Sequence, residues 1–188
     1  MKSSRTFIAL ILFSFGLGVL QAQTPTTSSQ FEDCGHFVQQ FYNWYVATET
    51  ALMKRNGLGS ALEVTLKEKR SSLSLELVKG LKQDLAASAK SPGEIVGLDF
   101  DPFLNAQDIA ERYVVGNVTP KGDHYWVEVF GVWNGQKSSN PDVVPELVFE
   151  NGHWIFTNFH YGKTDIPANE NLVSILEVLK KDRQKAEK

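Results

Sequence analysis

An Asn-Gly pair at positions 151 and 152 interrupts the stretch VVPELVFENGHWIFTNFHY, residues 143 to 161, and leaves it essentially one way to fold. Both residues tolerate the positive φ of a two-residue turn whose twist suits antiparallel strands. The spacing predicts a β-hairpin with Glu150 opposite His153, Phe149 opposite Trp154, Leu147 opposite Phe156, Pro145 opposite Asn158 and Val143 opposite His160. Phe149, Trp154, Leu147, Phe156 and Val143 then share a core face, and Glu150, His153, Glu146 and Thr157 share the other. Uninterrupted register carries Asn158 and His160 onto the core face, at the end away from the turn and beside Tyr161.

Upstream, Arg112 to Val118 reads as a strand, Thr119 to Asp123 as a turn, and His124 to Trp133 as a long strand alternating Tyr125, Val127 and Val129 with Trp126, Glu128 and Phe130. Before the strands come helices. Phe37, Phe41, Trp44, Tyr45 and Thr48 recur at helical spacing between Gly35 and Thr50, and Leu73, Leu77, Val78, Leu81 and Leu85 recur between an N-cap at Ser72 and a stop at Ser91-Pro92-Gly93. Asn169 is the expected cap of a last helix carrying Leu172, Ile175, Leu176 and Leu179, followed by a charged, frayed tail over 181–188. Helices first and strands after give an α+β fold: N-terminal helices on a curved four-stranded antiparallel sheet, then a C-terminal helix.

The chain opens with Lys2 and Arg5 before an apolar run from Phe7 to Leu20, the layout of a secretory signal peptide too short to span a bilayer. With cleavage after Ala22, residues 1–22 are a signal peptide, 23–34 a flexible linker, 35–180 one domain and 181–188 the tail. Losing Lys2 and Arg5 moves the net charge from −3 to −5, and an acidic chain has no footprint for nucleic acid. The expected location is periplasmic or secreted, without a membrane span. The single cysteine, Cys34, excludes an intramolecular disulfide and reads as a small, partly buried residue at a helix start.

The least ordinary stretch is GLDFDPFLNAQD, Gly97 to Asp108. Calcium-loop spacing fails there, since Leu104 and Ala110 stand where a Gly and a Glu are required when counting from Asp99. Asp101-Pro102 reads instead as an N-cap followed by proline at the first helical position, with Phe100 and Phe103 plugging the loop into the core. The competing reading is a polar rim that binds something.

FVQQFYNWY (37–45), LDFDPFLNAQD (98–108) and ELVFENGHWIFTNFHY (146–161) together resemble the blocks of a bacterial family catalogued as domain of unknown function 3828, over roughly residues 35 to 180. The resemblance implies an exported or envelope-associated protein with a layout similar to the nuclear-transport-factor-2-like cone, helices wrapped by a curved antiparallel sheet. Lipoprotein members carry a cysteine after the apolar run; here none follows, so a lipid anchor is not expected. The family has no established shared activity, so the resemblance implies a fold and a compartment and no reaction.

A cone of that kind implies a pocket between the concave face of the sheet and the first helix. The residues expected to bind a ligand or partner are Tyr42, Tyr45, Asp99, Asp101, Asp108, Trp126, Asn158, His160 and Tyr161. Structural pairing of Asn158 and His160 with the loop aspartates is the plainer reading. The sharper one is a general acid–base pair, His160 with Asp101 or Asp108, in a pocket lined by Tyr42, Tyr45 and Trp126. His36, His124 and His153 fall near a helix start, a turn exit and the Asn-Gly turn. No metal spacing links the histidines, no cofactor motif is present, and no GxSxG, HExxH or phosphate loop occurs. The preferred reading is a non-enzymatic binding module for an unknown protein or small ligand of the cell envelope. The alternatives are a small hydrolase, isomerase or dehydratase, and an immunity-type inhibitor of a toxin.

Overall fold

The computed structural model describes residues 27–55, 59–91, 96–162 and 171–186. The leader, residues 56–58, the Pro92-Gly93 stop and Asn169 lie outside them. In chain order come α1 (Thr27–Met53), α2 (Ala61–Glu68), a 3-10 turn (Arg70–Ser72), α3 (Leu75–Lys90), β1 (Arg112–Lys121), β2 (His124–Trp133), β3 (Gln136–Lys137), β4 (Val143–Glu150), β5 (His153–Tyr161) and α4 (Leu172–Ala186). The sheet is antiparallel in the order β1-β2-β4-β5, and the two-residue β3 adds a fifth strand against the end of β2. The α+β architecture follows the hydrophobic pattern, helices leading and strands following.

Several boundaries differ from expectation, each because a distant contact overrides the local signal. α1 begins at Thr27, inside the expected linker, because its first turns find partners on the sheet. Phe31 meets Tyr125 edge-on at 5.9 Å, Asp33 accepts the Trp154 indole N–H at 2.8 Å, and Cys34 is fully buried. α2 is an additional helix, opened by a capping box between Ser60 and Glu63. The cap of α3 is Ser74 rather than Ser72: its hydroxyl accepts Leu77 N–H, while Ser74 N–H donates to Phe156 O and ties the turn to the edge of β5. β1 runs through to Lys121, so the tight turn is Gly122-Asp123, with Gly122 at φ +63°. Asn171 accepts Ser174 N–H at the start of α4, and the expected frayed tail is helical to Ala186.

The hairpin forms around Asn151 and Gly152, both at positive φ, and Glu150–His153, Phe149–Trp154 and Leu147–Phe156 pair as expected. Thr157 then bulges. Beyond it Glu146 pairs with Asn158, Pro145 with Phe159, Val144 with His160 and Val143 with Tyr161. The expected pairs Pro145–Asn158 and Val143–His160 are therefore one residue out of step. A single extra residue reverses the facing of everything after it. Phe159 and Tyr161 turn inward, and Asn158 and His160 turn to the outer face, away from α1.

α1 lies across the inner face. Phe41 is the hub, touching Tyr45, Phe103 and Phe156 at ring separations of 5.7, 5.6 and 4.8 Å, and Phe156 stacks on Phe159 at 5.2 Å. Tyr42, Leu77, Leu81, Leu147 and Leu172 are fully buried around this cluster. Burying each such side chain contributes about 1.5–3 kcal/mol, so the aromatic hub dominates the stability of a chain with no disulfide.

The outer edge of β1 is closed by a side chain. The Gln39 amide donates to Tyr113 O at 2.9 Å and accepts Val115 N–H at 2.9 Å, taking the place of a neighbouring strand. Gln39→Ala is expected to lower stability by about 1–2 kcal/mol, the loss of two partly buried hydrogen bonds. A urea titration checks this: a midpoint unchanged from wild type means that water replaces the amide at no cost.

Candidate functional site

The loop 97–109 is built around Asp101. Its Oδ1 accepts the N–H groups of Phe103 (2.9 Å) and Leu104 (3.2 Å), and its Oδ2 accepts the Tyr45 hydroxyl at 2.6 Å. Its backbone closes the loop in both directions, N–H to Ala106 O and C=O from Asn105 N–H. The expected Asp-Pro cap is present but holds one turn, not a helix. Asn105 ends that turn in the left-handed region at φ +53°, which asparagine tolerates, and its amide donates to Asp142 O at the start of β4. Phe103 and Leu104 enter the core, whereas Phe100 stays half-buried, edge-on to Tyr161. Burial pushes the Asp101 carboxyl up to about 6 against the opposing pull of its three donors, of which Tyr45 is the strongest.

Beside the loop runs a groove of about 450 Å³ between it and the α1–α2 corner. Leu98, Phe100, Pro102, Leu104, Ile109, Leu62 and Met53 supply its apolar surface, and Glu49, Asp99, Asp101 and Asp108 supply four carboxylates, with no Lys, Arg or His among the described lining residues. Glu49 is held in place by Ala61 N–H at 2.7 Å. Asp99 and Asp108 stand exposed at the rim, and Gln107 donates to Asp99 O.

The pocket expected between sheet and first helix is instead filled by the aromatic hub. Tyr42 and Tyr45 are fully buried, with hydroxyls donated to Phe103 O (2.8 Å) and Asp101, and Tyr161 donates to Pro102 O at 3.0 Å. Burial holds all three phenols well above the usual tyrosine range. They serve as struts that fix the loop. Asn158 accepts Val173 N–H at 3.2 Å at the start of α4. Cys34, also inside α1, has its thiol pushed up to about 12 by burial with Asp33 adding to it, so it is inert.

His160 is not joined to a loop aspartate. The Thr157 bulge sends it to the outer face, where it meets Glu146 Oε2 at 2.6 Å and stacks on Trp126 at 3.9 Å. Trp126 is likewise on that face, away from Tyr42 and Tyr45. The expected acid–base pair is thus split between two sides of the sheet. Reasoning from the sequence missed Glu49 of the groove and the pairing of Glu146 with His124 and His160. The usable signal was the alternation of His124 and Trp126 along β2, which gains meaning only once β2 is known to pair with β4.

Among the described residues no group of three or more His, Cys, Asp or Glu is placed to hold a metal ion, and no helix is long and apolar enough to cross a membrane. In comparisons with known proteins, no family model, no curated protein and no solved structure matches the chain.

Proposed function

We propose that this protein is an exported, non-enzymatic binding module whose partner is a cationic, partly apolar segment or ligand of the cell envelope, held in the groove beside the loop 97–109. The observation that carries the reading is charge: four carboxylates border an apolar groove that has no basic residue among its described lining residues. A lysine or arginine side chain suits such a wall, because its aliphatic stem lies on apolar surface while its head meets carboxylate. The loop is braced by Tyr42, Tyr45 and Tyr161, so the groove keeps its shape before the partner arrives. Preorganisation of this kind reduces the entropy lost on binding. The apolar run before residue 23 supports export.

Fluorescence titration with a short peptide alternating lysine and leucine, against its glutamate counterpart, tests the reading. Wild type is expected to bind the lysine peptide selectively and more weakly as salt rises. Asp99→Asn/Asp108→Asn is expected to weaken binding about tenfold, two exposed ion pairs at up to roughly 1 kcal/mol each. Equal binding of both peptides, or none to either, would overturn it.

A further inference from the structure

Asp99 and Asp108 stand at the exposed rim of the groove, whereas Asp101 lines it from the core side, where its Oδ2 accepts the hydroxyl of fully buried Tyr45 at 2.6 Å. The groups that face Asp101 are phenols and carboxyls. α1 contributes Tyr42, Tyr45 and Glu49, β1 contributes Tyr113, and β5 contributes Tyr161. Asp142, just before β4, faces Tyr42 and Tyr113. α2 adds Leu62 to the groove wall, and its Glu63 is turned to the Ser60 N–H. Lys54 and Arg55 follow Met53 and are exposed, outside the lining. Among the described residues, then, no cation stands against Asp101.

We propose that a cationic occupant enters this groove in exchange for the Asp101 proton, so that binding tightens as pH rises through mildly acidic values. This rests on the groove being the binding site. Oδ1 is committed as acceptor to the N–H groups of Phe103 and Leu104, which leaves Oδ2 to carry the proton of the neutral acid. Oδ2–H then donates to the Tyr45 oxygen, and loss of the proton to solvent restores Tyr45 as the donor. An ionised carboxylate offers about four acceptor positions. Three are filled, so one on Oδ2 is left for an ammonium or guanidinium group in the groove.

A cation beside a carboxyl favours its charged form, and by linkage the charged form favours the cation to the same degree. Burial raises the Asp101 carboxyl to about 6, which sets the range of the exchange. Above that value the carboxylate is already ionised and binding releases nothing. Below it the occupant has to displace a proton, and affinity falls.

Calorimetric titration of the whole protein with the lysine–leucine peptide, at constant ionic strength and in buffers of different ionisation enthalpy, tests the exchange. For a cation that lowers the proton affinity of Asp101 about tenfold, wild type is expected to release about 0.4 proton per peptide at pH 6 and almost none at pH 7.5. On the same basis its affinity should exceed that of Asp101→Asn about tenfold at pH 7.5 and about twofold at pH 5, a ratio in which the other carboxyls cancel. Asp99→Asn/Asp108→Asn is expected to bind more weakly yet keep the proton release, which holds the test open if Asp101→Asn folds poorly. Selective binding of the peptide with no proton released at pH 6, or a wild-type to Asp101→Asn ratio that does not change with pH, would overturn the exchange and leave the groove as the binding site. Loss of selective binding at every pH would overturn both.

Discussion

Arg183→Ala is expected to lower stability by about 3 kcal/mol, the low end of the cost of leaving a buried charge without its partner. Arg183 Nη1 lies 2.7 Å from Asp84 Oδ1 and 3.2 Å from Val96 O, and Asp84 itself is only 4% exposed. Without the guanidinium, Asp84 is left with Leu98 N–H at 3.0 Å among the described residues, too little for a carboxylate out of water. For a chain of this length the loss corresponds to a fall in Tm of about 10 °C, followed by circular dichroism. Asp84→Asn is expected to cost less, about 1–2 kcal/mol, because it removes the charge and still offers Leu98 an acceptor. The surroundings are close-packed: a Cβ on Gly97 would meet Ser88 Oγ at 2.6 Å and Asp84 Oδ2 at 2.7 Å. Since Leu98 also lines the acidic groove, Arg183→Ala is expected to weaken binding of the lysine peptide as well. A Tm within 2 °C of wild type would mean that the last turns of α4 do not hold this end of the domain.

That ion pair shows where sequence reading stops. Arg183 lies in a stretch that reads as a charged tail, and nothing local distinguishes it from Lys180, Lys181 or Lys185. Its role comes from a carboxylate 99 residues earlier. The hairpin was legible because Asn151-Gly152 fixes a turn and the turn fixes the first three pairs. The Thr157 bulge was not, since threonine carries no local mark of a bulge and strict alternation gives an equally good core at Val143, Leu147 and Phe156. That one residue separates His160 from Asp101 and dissolves the expected acid–base pair. The Asp101-Pro102 turn was legible through Asx-Pro chemistry, and the plug of Phe103 through its apolar neighbours. The groove wall was not, because Glu49 meets the loop only through the packing of α1 against α2.

Asp101 makes the opposite kind of prediction, one in which the conservative change helps. Its carboxyl is raised by burial from an ordinary value near 3.8 to about 6. A raised carboxyl favours the folded state when protonated, so its contribution is fully present below the unfolded value and is lost as pH rises through about 6. The difference corresponds to roughly 3 kcal/mol between acidic and neutral pH. Asp101→Asn is expected to be at least as stable as wild type at pH 7, because the amide oxygen still accepts Phe103 and Leu104 N–H while its nitrogen faces the Tyr45 oxygen. Asp101→Ala leaves Phe103 N–H and the Tyr45 hydroxyl without their acceptor, while Leu104 N–H keeps the backbone carbonyl of residue 101, and is expected to cost about 3 kcal/mol. Denaturant titrations of all three proteins from pH 7.5 to 4.5 separate the effects. The stability gap between wild type and Asp101→Asn should close as pH falls, leaving the acid dependence of every other group common to both curves. Parallel curves across that range would mean that Asp101 stays ionised in the fold, its three hydrogen bonds outweighing burial. In that case the floor of the groove carries full negative charge at every pH at which a cationic partner is met.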